Sequence, residues 1–252
     1  MNGRGPPRGG PGRRVRKAEE KAPRSPPAPA RGYVRHAFPH TWRSPYGVLT
    51  ENSVPGTKVY GERLFMHEGK ELRTWNPRRS KLGAIAILGS NALKFEGNET
   101  ILYLGAASGT TVSHLSDIVA GGSVVAVEKS IRSFRDLLNV ARMRRNIHPV
   151  LSDARETDTL VPIIPGGADM VYQDVAQRDQ AQIFLDACDR FLKPGGLGVL
   201  MVKARSITVS RDTKEVFDEV EGQLRDSGLK VWERKNLEPF EADHVAMVVN
   251  RP

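Results

Sequence analysis

The segment Gly105-Ala106-Ala107-Ser108-Gly109-Thr110-Thr111 follows an apolar run, Ile101–Leu104, and opens a helical pattern. Glycine in such a loop lets the chain turn and lets a ligand approach the backbone, while the next helix offers free N–H groups. The spacing is not the dinucleotide fingerprint, because Ala107 stands where glycine is required, and no Lys-Ser/Thr follows to make a P-loop. Glu128 ends the next apolar run, 23 residues beyond Gly105. A carboxylate there can accept from both ribose hydroxyls; a helix cap or a surface ion pair is the plainer use of it. Asp153, in Ser152-Asp153-Ala154, can accept from an exocyclic amine such as that of adenine, or serve a turn. Asp174 ends a further apolar run and leads into Val175-Ala176-Gln177. Together these residues describe a nucleoside cleft. Without a P-loop or a dinucleotide fingerprint, S-adenosylmethionine fits it better than ATP or NAD.

Lysines supply the second kind of chemistry. Lys203 closes the apolar run Leu197–Lys203, where an amine is costly to bury alone. Asp174, at the end of a neighbouring strand, is its expected partner. Lys81 opens the helical pattern carried by Leu82, Ile85 and Leu88. By itself it reads as a solvated helix-start lysine. His244 follows Asp243 at the start of the last strand; a lone histidine reads as structural.

These residues need elements to position them. From residue 77 onward, strand and helix patterns alternate: strands at Ile101–Leu104, Val124–Val127, Pro149–Leu151, Met170–Gln173 and Leu197–Lys203, with helices at Thr110–Ile118, Ser133–Arg144, Gln180–Leu192 and Asp212–Asp226. Pro194-Gly195-Gly196 is the expected stop of the third of these helices. Val231–Asn236 and His244–Asn250 are close enough to pair antiparallel. The fold class is α/β: a doubly wound, Rossmann-like domain over 77–252, with ligands expected at the carboxyl ends of the strands. Residues 36–76 alternate in short runs (Tyr46–Leu49, Lys58–Met66, Lys70–Trp75), which predicts a small antiparallel β domain with a hairpin at Glu68-Gly69. Residues 1–35 are rich in Gly, Pro and Arg and are expected to be disordered.

Charge follows the same division. Ten basic and two acidic residues lie in 1–35, a net of +8, leaving 28 basic and 27 acidic residues, or +1, for the rest. A basic tail suits a polyanion, and without aromatics its grip would be non-specific; a solubilising tail is the other reading. No apolar run approaches a membrane span, and no secretory signal is evident. One cysteine, Cys188, excludes an internal disulfide and a Cys-based zinc site, so an intracellular protein is expected. His36 and His40 have a metal-compatible spacing with no further ligand nearby, so no metal site is expected.

Six separated stretches resemble the fibrillarin family, the methyltransferase subunits of box C/D ribonucleoproteins, and occur in that family's order. They are Val59–Arg63, Trp75–Leu82, Leu102–Thr111, Asp174–Gln177, Val202–Ser206 and Asn236–Phe240. The resemblance covers about residues 45–252 and looks archaeal in its compact length, which implies a cytoplasmic protein (nucleolar if eukaryotic). It implies methyl transfer from S-adenosylmethionine to ribose 2′-hydroxyls of rRNA and possibly tRNA. It places the cofactor at the Gly105, Ala107 and Gly109 loop, at Thr110 and Thr111, Glu128 and Lys129, Asp153 and Ala154, and Asp174, Val175, Ala176 and Gln177. In the family the residue after the ribose-binding acid is commonly aromatic; here it is Lys129. The catalytic group falls on Lys81, Asp174, Lys203 and His244. The expected roles are Lys203 at the 2′-oxygen assisting its deprotonation, Asp174 orienting Lys203, Lys81 holding the nucleotide, and His244 completing the network. The implied partners are a box C/D guide RNA with its target RNA, a Nop-type scaffold protein and a kink-turn-binding protein. Rival readings are a nicotinamide oxidoreductase, disfavoured by the glycine spacing, an inactive assembly subunit, and a protein methyltransferase.

Overall fold

The computed structural model describes residues 1–3 and 32–252. The expected disorder of the basic tail therefore lies outside the described residues over 4–31. Five short strands come first: β1 (Val34–Arg35), β2 (Thr41–Ser44), β3 (Gly47–Glu51), β4 (Leu64–His67) and β5 (Lys70–Thr74). They form one antiparallel sheet in the order β1-β2-β3-β5-β4. The β4–β5 hairpin turns on Glu68 and Gly69, with φ of 49° and 76°. Two positive φ values in succession match the twist of the flanking strands. The run expected to be extended from Lys58 becomes a strand only at Leu64. Upstream, the Glu62 carboxylate accepts the backbone N–H groups of Val59 (3.0 and 3.1 Å) and Tyr60 (2.9 Å), which folds 59–62 into a turn. Val34 and Arg35, grouped with the tail in the sequence, pair with Arg43 and Trp42 of β2.

The larger layer alternates as read. It comprises α1 (Lys81–Leu88), β6 (Thr100–Leu104), α2 (Thr110–Ile118), β7 (Ser123–Glu128), α3 (Ile131–Met143) and β8 (Ile147–Leu151). There follow β9 (Ala168–Gln173), α4 (Gln180–Phe191), β10 (Leu192–Lys203), α5 (Ala204–Ile207), α6 (Thr213–Asp226), β11 (Lys230–Asn236) and β12 (His244–Asn250). The sheet order is β11-β12-β10-β9-β6-β7-β8, and only β12 runs antiparallel to its neighbours. Chain crossovers diverge on either side of β6 and β9, which opens a crevice above their carboxyl ends. Leu82, Ile85, Val112 and Leu115 cover one sheet face, while Phe184, Val220 and Leu224 cover the other. No helix of the described residues is long and apolar enough to cross a membrane.

One boundary differs from the sequence reading. α4 ends at Phe191, before Pro194-Gly195-Gly196, and Leu192 already pairs with Ala168 of β9. The three residues form an irregular stretch inside β10, where the register shifts between Leu192 and Leu197. Asn250 holds it there, its side-chain amide donating to the carbonyls of Gly195 (2.9 Å) and Gly196 (3.1 Å).

Polar groups join the small sheet to α2. His114 is fully buried, stacked on Trp75 at 4.9 Å, with Nδ1 2.9 Å from Thr50 Oγ1 and Nε2 2.7 Å from the Tyr60 hydroxyl. Burial, followed by the charges of Arg73 and Arg144, holds its pKa well below 6.5. The folded imidazole is thus neutral, and the unfolded one takes up a proton below about pH 6.5. Stability must then fall as pH drops through that value, by up to ~1.4 kcal/mol per pH unit for this group. His36, half-buried against the Ala86 carbonyl, acts in the same direction. Urea unfolding of His114→Gln between pH 7 and pH 5 is expected to show a slope shallower by about one proton than the parent. An unchanged slope would place the titrating group elsewhere.

Candidate active site

The crevice depends on a close approach of two strand ends. Gly105 has φ of 84°, and a Cβ there would lie 2.6 Å from the Asp174 carbonyl oxygen. Any side chain would therefore push the ends of β6 and β9 apart. The N–H groups of Gly105 and Ala106 both donate to the Val127 carbonyl, at 3.0 and 2.9 Å. This turns the loop so that the Ala107 N–H donates to Glu128 Oε2 at 2.8 Å. Oε1 of Glu128 accepts from the Ser130 N–H at 2.7 Å. The carboxylate is thus fixed by two backbone bonds, one per oxygen, and each oxygen keeps a lone pair for a ribose hydroxyl.

A cavity of about 280 Å³ opens beside this carboxylate. Its walls include Gly105, Ala107, Glu128, Lys129 and Ala154, together with the stretch Asp174, Val175, Ala176 and Gln177, all expected from the sequence. Val127 and Ser152 also line it and were missed. Val127 looks like any other strand residue, and Ser152 carries no signal of its own. Several expected residues are not on this wall. Asp153 turns away: its carboxylate accepts from the Arg155 N–H (3.1 Å) and guanidinium (3.3 Å), with Lys129 Nζ at 3.6 Å. That is the turn role considered for it. Gly109 caps α2 with φ of 88°. Thr111 is buried and donates to Ser80 Oγ at 3.0 Å, and Thr110 lines a neighbouring cavity instead.

The walls suit an adenosine-bearing cofactor. Val127, Ala154, Val175 and Ala176 give an apolar slot, and Glu128 offers acceptors at its edge. The amide oxygen of Gln177 is buried with no hydrogen-bond partner among the described residues. An orphaned acceptor in a cavity wall calls for a donor from a ligand or a water.

Lys81 projects from the first turn of α1 and binds Asp174 with both carboxylate oxygens, at 2.7 and 3.0 Å. Ser80 sets that turn. It caps α1 by accepting the Gly83 N–H at 3.1 Å, and it accepts the Trp75 indole N–H at 2.9 Å. The expected Asp174–Lys203 pair is therefore replaced by Asp174–Lys81. The register explains the change. Leu200 of β10 pairs with Gln173 of β9, so Lys203 lies two residues further along its strand than the level of Asp174. At ~3.3 Å per residue that is a separation of about 7 Å along the strand. Lys203 has no carboxylate within 4 Å among the described residues, and Gln180 brackets its backbone with bonds of 3.0 and 3.2 Å. It sits directly opposite His244 in the β10–β12 pairing. His244 is buried, with Nδ1 donating to the Ala242 carbonyl at 2.6 Å. It borders a separate cavity of about 360 Å³ between α6 and β11. Below the site, Tyr103 and Tyr172 stack at 4.5 Å. Burial above all pushes both phenols up, with the Asp174 charge adding to the effect, so both stay protonated. Of the two spaced histidines, His36 bonds the Ala86 carbonyl (2.9 Å) and His40 pairs with Glu51 (2.7 Å).

Comparison with known proteins is consistent across sequence and structure. The family model described as Fibrillarin matches residues 39–252. A fibrillarin-like rRNA/tRNA 2′-O-methyltransferase of Thermococcus onnurineus is 48% identical over 206 residues, covering 81% of this chain and 90% of the relative. The Aeropyrum pernix fibrillarin solved in complex with natively bound S-adenosyl-L-methionine superposes with a TM-score of 0.75 at 38% identity, covering 86% of this chain and 98% of that one. A fibrillarin solved in a fibrillarin/Nop5p complex gives 0.79 at 38% identity, with coverage of 86% and 100%.

Proposed function

The chain belongs to the fibrillarin family, and from that membership we propose that it methylates ribose 2′-hydroxyls of rRNA and tRNA with S-adenosylmethionine, as the catalytic subunit of a guide-RNA ribonucleoprotein. The observation that carries this reading is the Lys81–Asp174 ion pair, whose carboxylate stands in the wall of the 280 Å³ cavity.

Bound in that cavity, S-adenosylmethionine supplies a methyl group already activated on a sulfonium. The protein has to align the nucleophile and take its proton. Glu128 would hold the cofactor ribose, and Gln177 would offer its unpartnered amide oxygen. Asp174 is an anionic acceptor in the cavity wall, and Lys81 fixes its orientation through both oxygens. We assign Asp174 to receive the 2′-hydroxyl proton. Lys203, with no carboxylate to neutralise it, faces the developing alkoxide with its positive charge. His244 buttresses the strand end opposite Lys203 rather than joining the ion pair. A Nop scaffold protein brings the enzyme to RNA. A guide RNA chooses the nucleotide, and a kink-turn-binding protein completes the particle. The near-neutral charge of 36–252 agrees with dependence on such partners.

The test is methyl transfer from labelled S-adenosylmethionine to a target RNA, by the protein alone and with guide RNA, scaffold and kink-turn binder added. Transfer only in the full mixture, at one 2′-hydroxyl set by the guide, is expected. Transfer by the protein alone would show that it reads RNA directly. Cofactor binding without transfer in either mixture would make it an inactive assembly subunit.

A further inference from the structure

Two polar cavities lie side by side near the start of α1, outside the cofactor pocket, and they share Tyr60 and Arg79. One, of about 370 Å³, lies between the 57–60 loop, α3 and the first residue of α2. The other, of about 360 Å³, lies between the 60–63 loop and Thr74–Pro77. Three exposed cations line this trough, Lys58, Arg63 and Arg79, and a fourth, Arg78, neighbours Arg79 in sequence.

None of the four has a carboxylate within 4 Å among the described residues. The three arginines are nonetheless held in place. Arg63 stacks over Tyr46 at 4.9 Å, Arg79 over Tyr60 at 5.0 Å, and Arg78 over Phe240 at 6.0 Å. Arg79 also donates to the Tyr60 carbonyl at 3.1 Å, and Arg78 to the Pro239 carbonyl at 3.4 Å. Stacking orders a guanidinium without cancelling its charge. Arginines elsewhere, such as Arg155, Arg190, Arg211 and Arg225, are instead neutralised by carboxylates at 2.6–3.0 Å. Of the two acids that line the trough, Glu62 is buried and consumed by Arg73 and two backbone N–H groups, while Asp136 of α3 is exposed on the far wall of the first cavity. A second observation lies in the first cavity. Arg144 reaches its wall from a buried position; its Nε lies 3.6 Å from Asp117 and its Nη2 donates to Asn52 at 3.1 Å, while Nη1 has no hydrogen-bond partner among the described residues.

We propose that this trough seats the phosphates of the RNA strand next to the target nucleotide, with Arg63, Arg79 and Lys58 as the contacts. The proposal rests on the methyltransferase reading above and adds where the substrate strand runs. Arg79 is two residues from Lys81, so a strand bound here enters the site within one or two nucleotides of the reacting ribose. Charge contacts of this kind to phosphates position the strand while the guide supplies the sequence.

The test uses the assembled particle with guide and target RNA. Lys58→Gln combined with Arg63→Gln is expected to raise KM for target RNA roughly tenfold and to make the salt dependence shallower by about one to two units of log–log slope. KM for S-adenosylmethionine should stay within twofold, and Arg63→Lys should restore most of the RNA affinity. Thermal unfolding of each variant, unchanged from the parent, separates these effects from misfolding. An unchanged KM for RNA would overturn the proposal. So would weakened scaffold association with RNA affinity intact, which would make the trough a protein-docking surface. If the wild-type particle transfers no methyl, the functional reading fails, and crosslinking decides the trough independently. Cys188 is buried, so a photoreactive group on Thr57→Cys labels one surface position. Crosslinks to target RNA would support the seat, and crosslinks to the scaffold alone would refute it.

Discussion

Asp174→Asn is expected to lower the single-turnover rate of methyl transfer by roughly 10²- to 10⁴-fold, the usual range for losing a positioned proton acceptor. The substitution keeps size and shape but removes the charge. Lys81 then loses the carboxylate it holds at 2.7 and 3.0 Å, and the nucleotide loses the proton acceptor assigned to it. Cofactor affinity should change far less, because Glu128 is fixed by Ala107 and Ser130 without help from Asp174. A mutant cycle sharpens the claim. Lys81→Met combined with Asp174→Asn should be little slower than the worse single variant, since the two side chains act as one unit. Lys203→Ala, about 7 Å further along its strand, should add to Asp174→Asn more nearly independently. Equilibrium dialysis with labelled cofactor and rapid-quench transfer in the assembled particle measure both quantities. An Asp174→Asn rate within threefold of the parent would remove Asp174 from the chemistry. Strong Lys203–Asp174 coupling without Lys81–Asp174 coupling would restore the pairing expected from the sequence.

That contrast marks the limit of what the sequence disclosed. The α/β alternation was legible because parallel strands buried on both faces read as apolar runs, and helices between them keep their own period. Glu128 and Asp174 were singled out because ligands of such sheets bind at the strand ends, and both stand in the wall of one cavity there. The partner of Asp174 was not legible. It depends on a two-residue offset between β9 and β10 and on the placing of the first turn of α1 beside Asp174, and neither is a local property. Asp153 failed as a wall residue for a local reason, since its carboxylate closes its own turn through Arg155. In the small sheet, β1 and β2 are two and four residues long, too short for alternation to declare itself. Glu62 turned an apparent strand into a loop, an effect that composition does not announce. That same glutamate belongs to a buried ion network, whose cost and strength the pattern of charges alone could not reveal.

Arg73→Met is expected to destabilise the fold by about 3–5 kcal/mol, a large part of the total stability of an ordinary domain. Arg73 is fully buried between Asp117 and Glu62, with Nε and Nη1 each 2.7 Å from a carboxylate. Its third arm donates to Ser113 Oγ at 2.9 Å. Burial works against its charge, but Asp117 and Glu62 outweigh that and hold its pKa above the usual value. Removing the guanidinium leaves two buried carboxylates, with Arg144 Nε 3.6 Å from Asp117 as the remaining cation. The penalty is one of stranded charge, so its removal is testable. Adding Glu62→Gln to Arg73→Met, which leaves Asp117 facing Arg144, should recover a large part of the lost stability at pH 7, although Glu62→Gln alone is destabilising. The single variant should also lose its acid sensitivity near Glu62. That carboxyl is held below its usual pKa against the opposing effect of burial, by backbone N–H groups and by Arg73. Its stabilisation is present above the unfolded pKa of 4.5 and is lost as pH falls through the folded value. Without Arg73 that loss shrinks. Urea unfolding at pH 7 and pH 4 measures both effects. A cost below about 1 kcal/mol would mean that water reaches the network and that the small sheet is held to α2 by Trp75 and His114 alone.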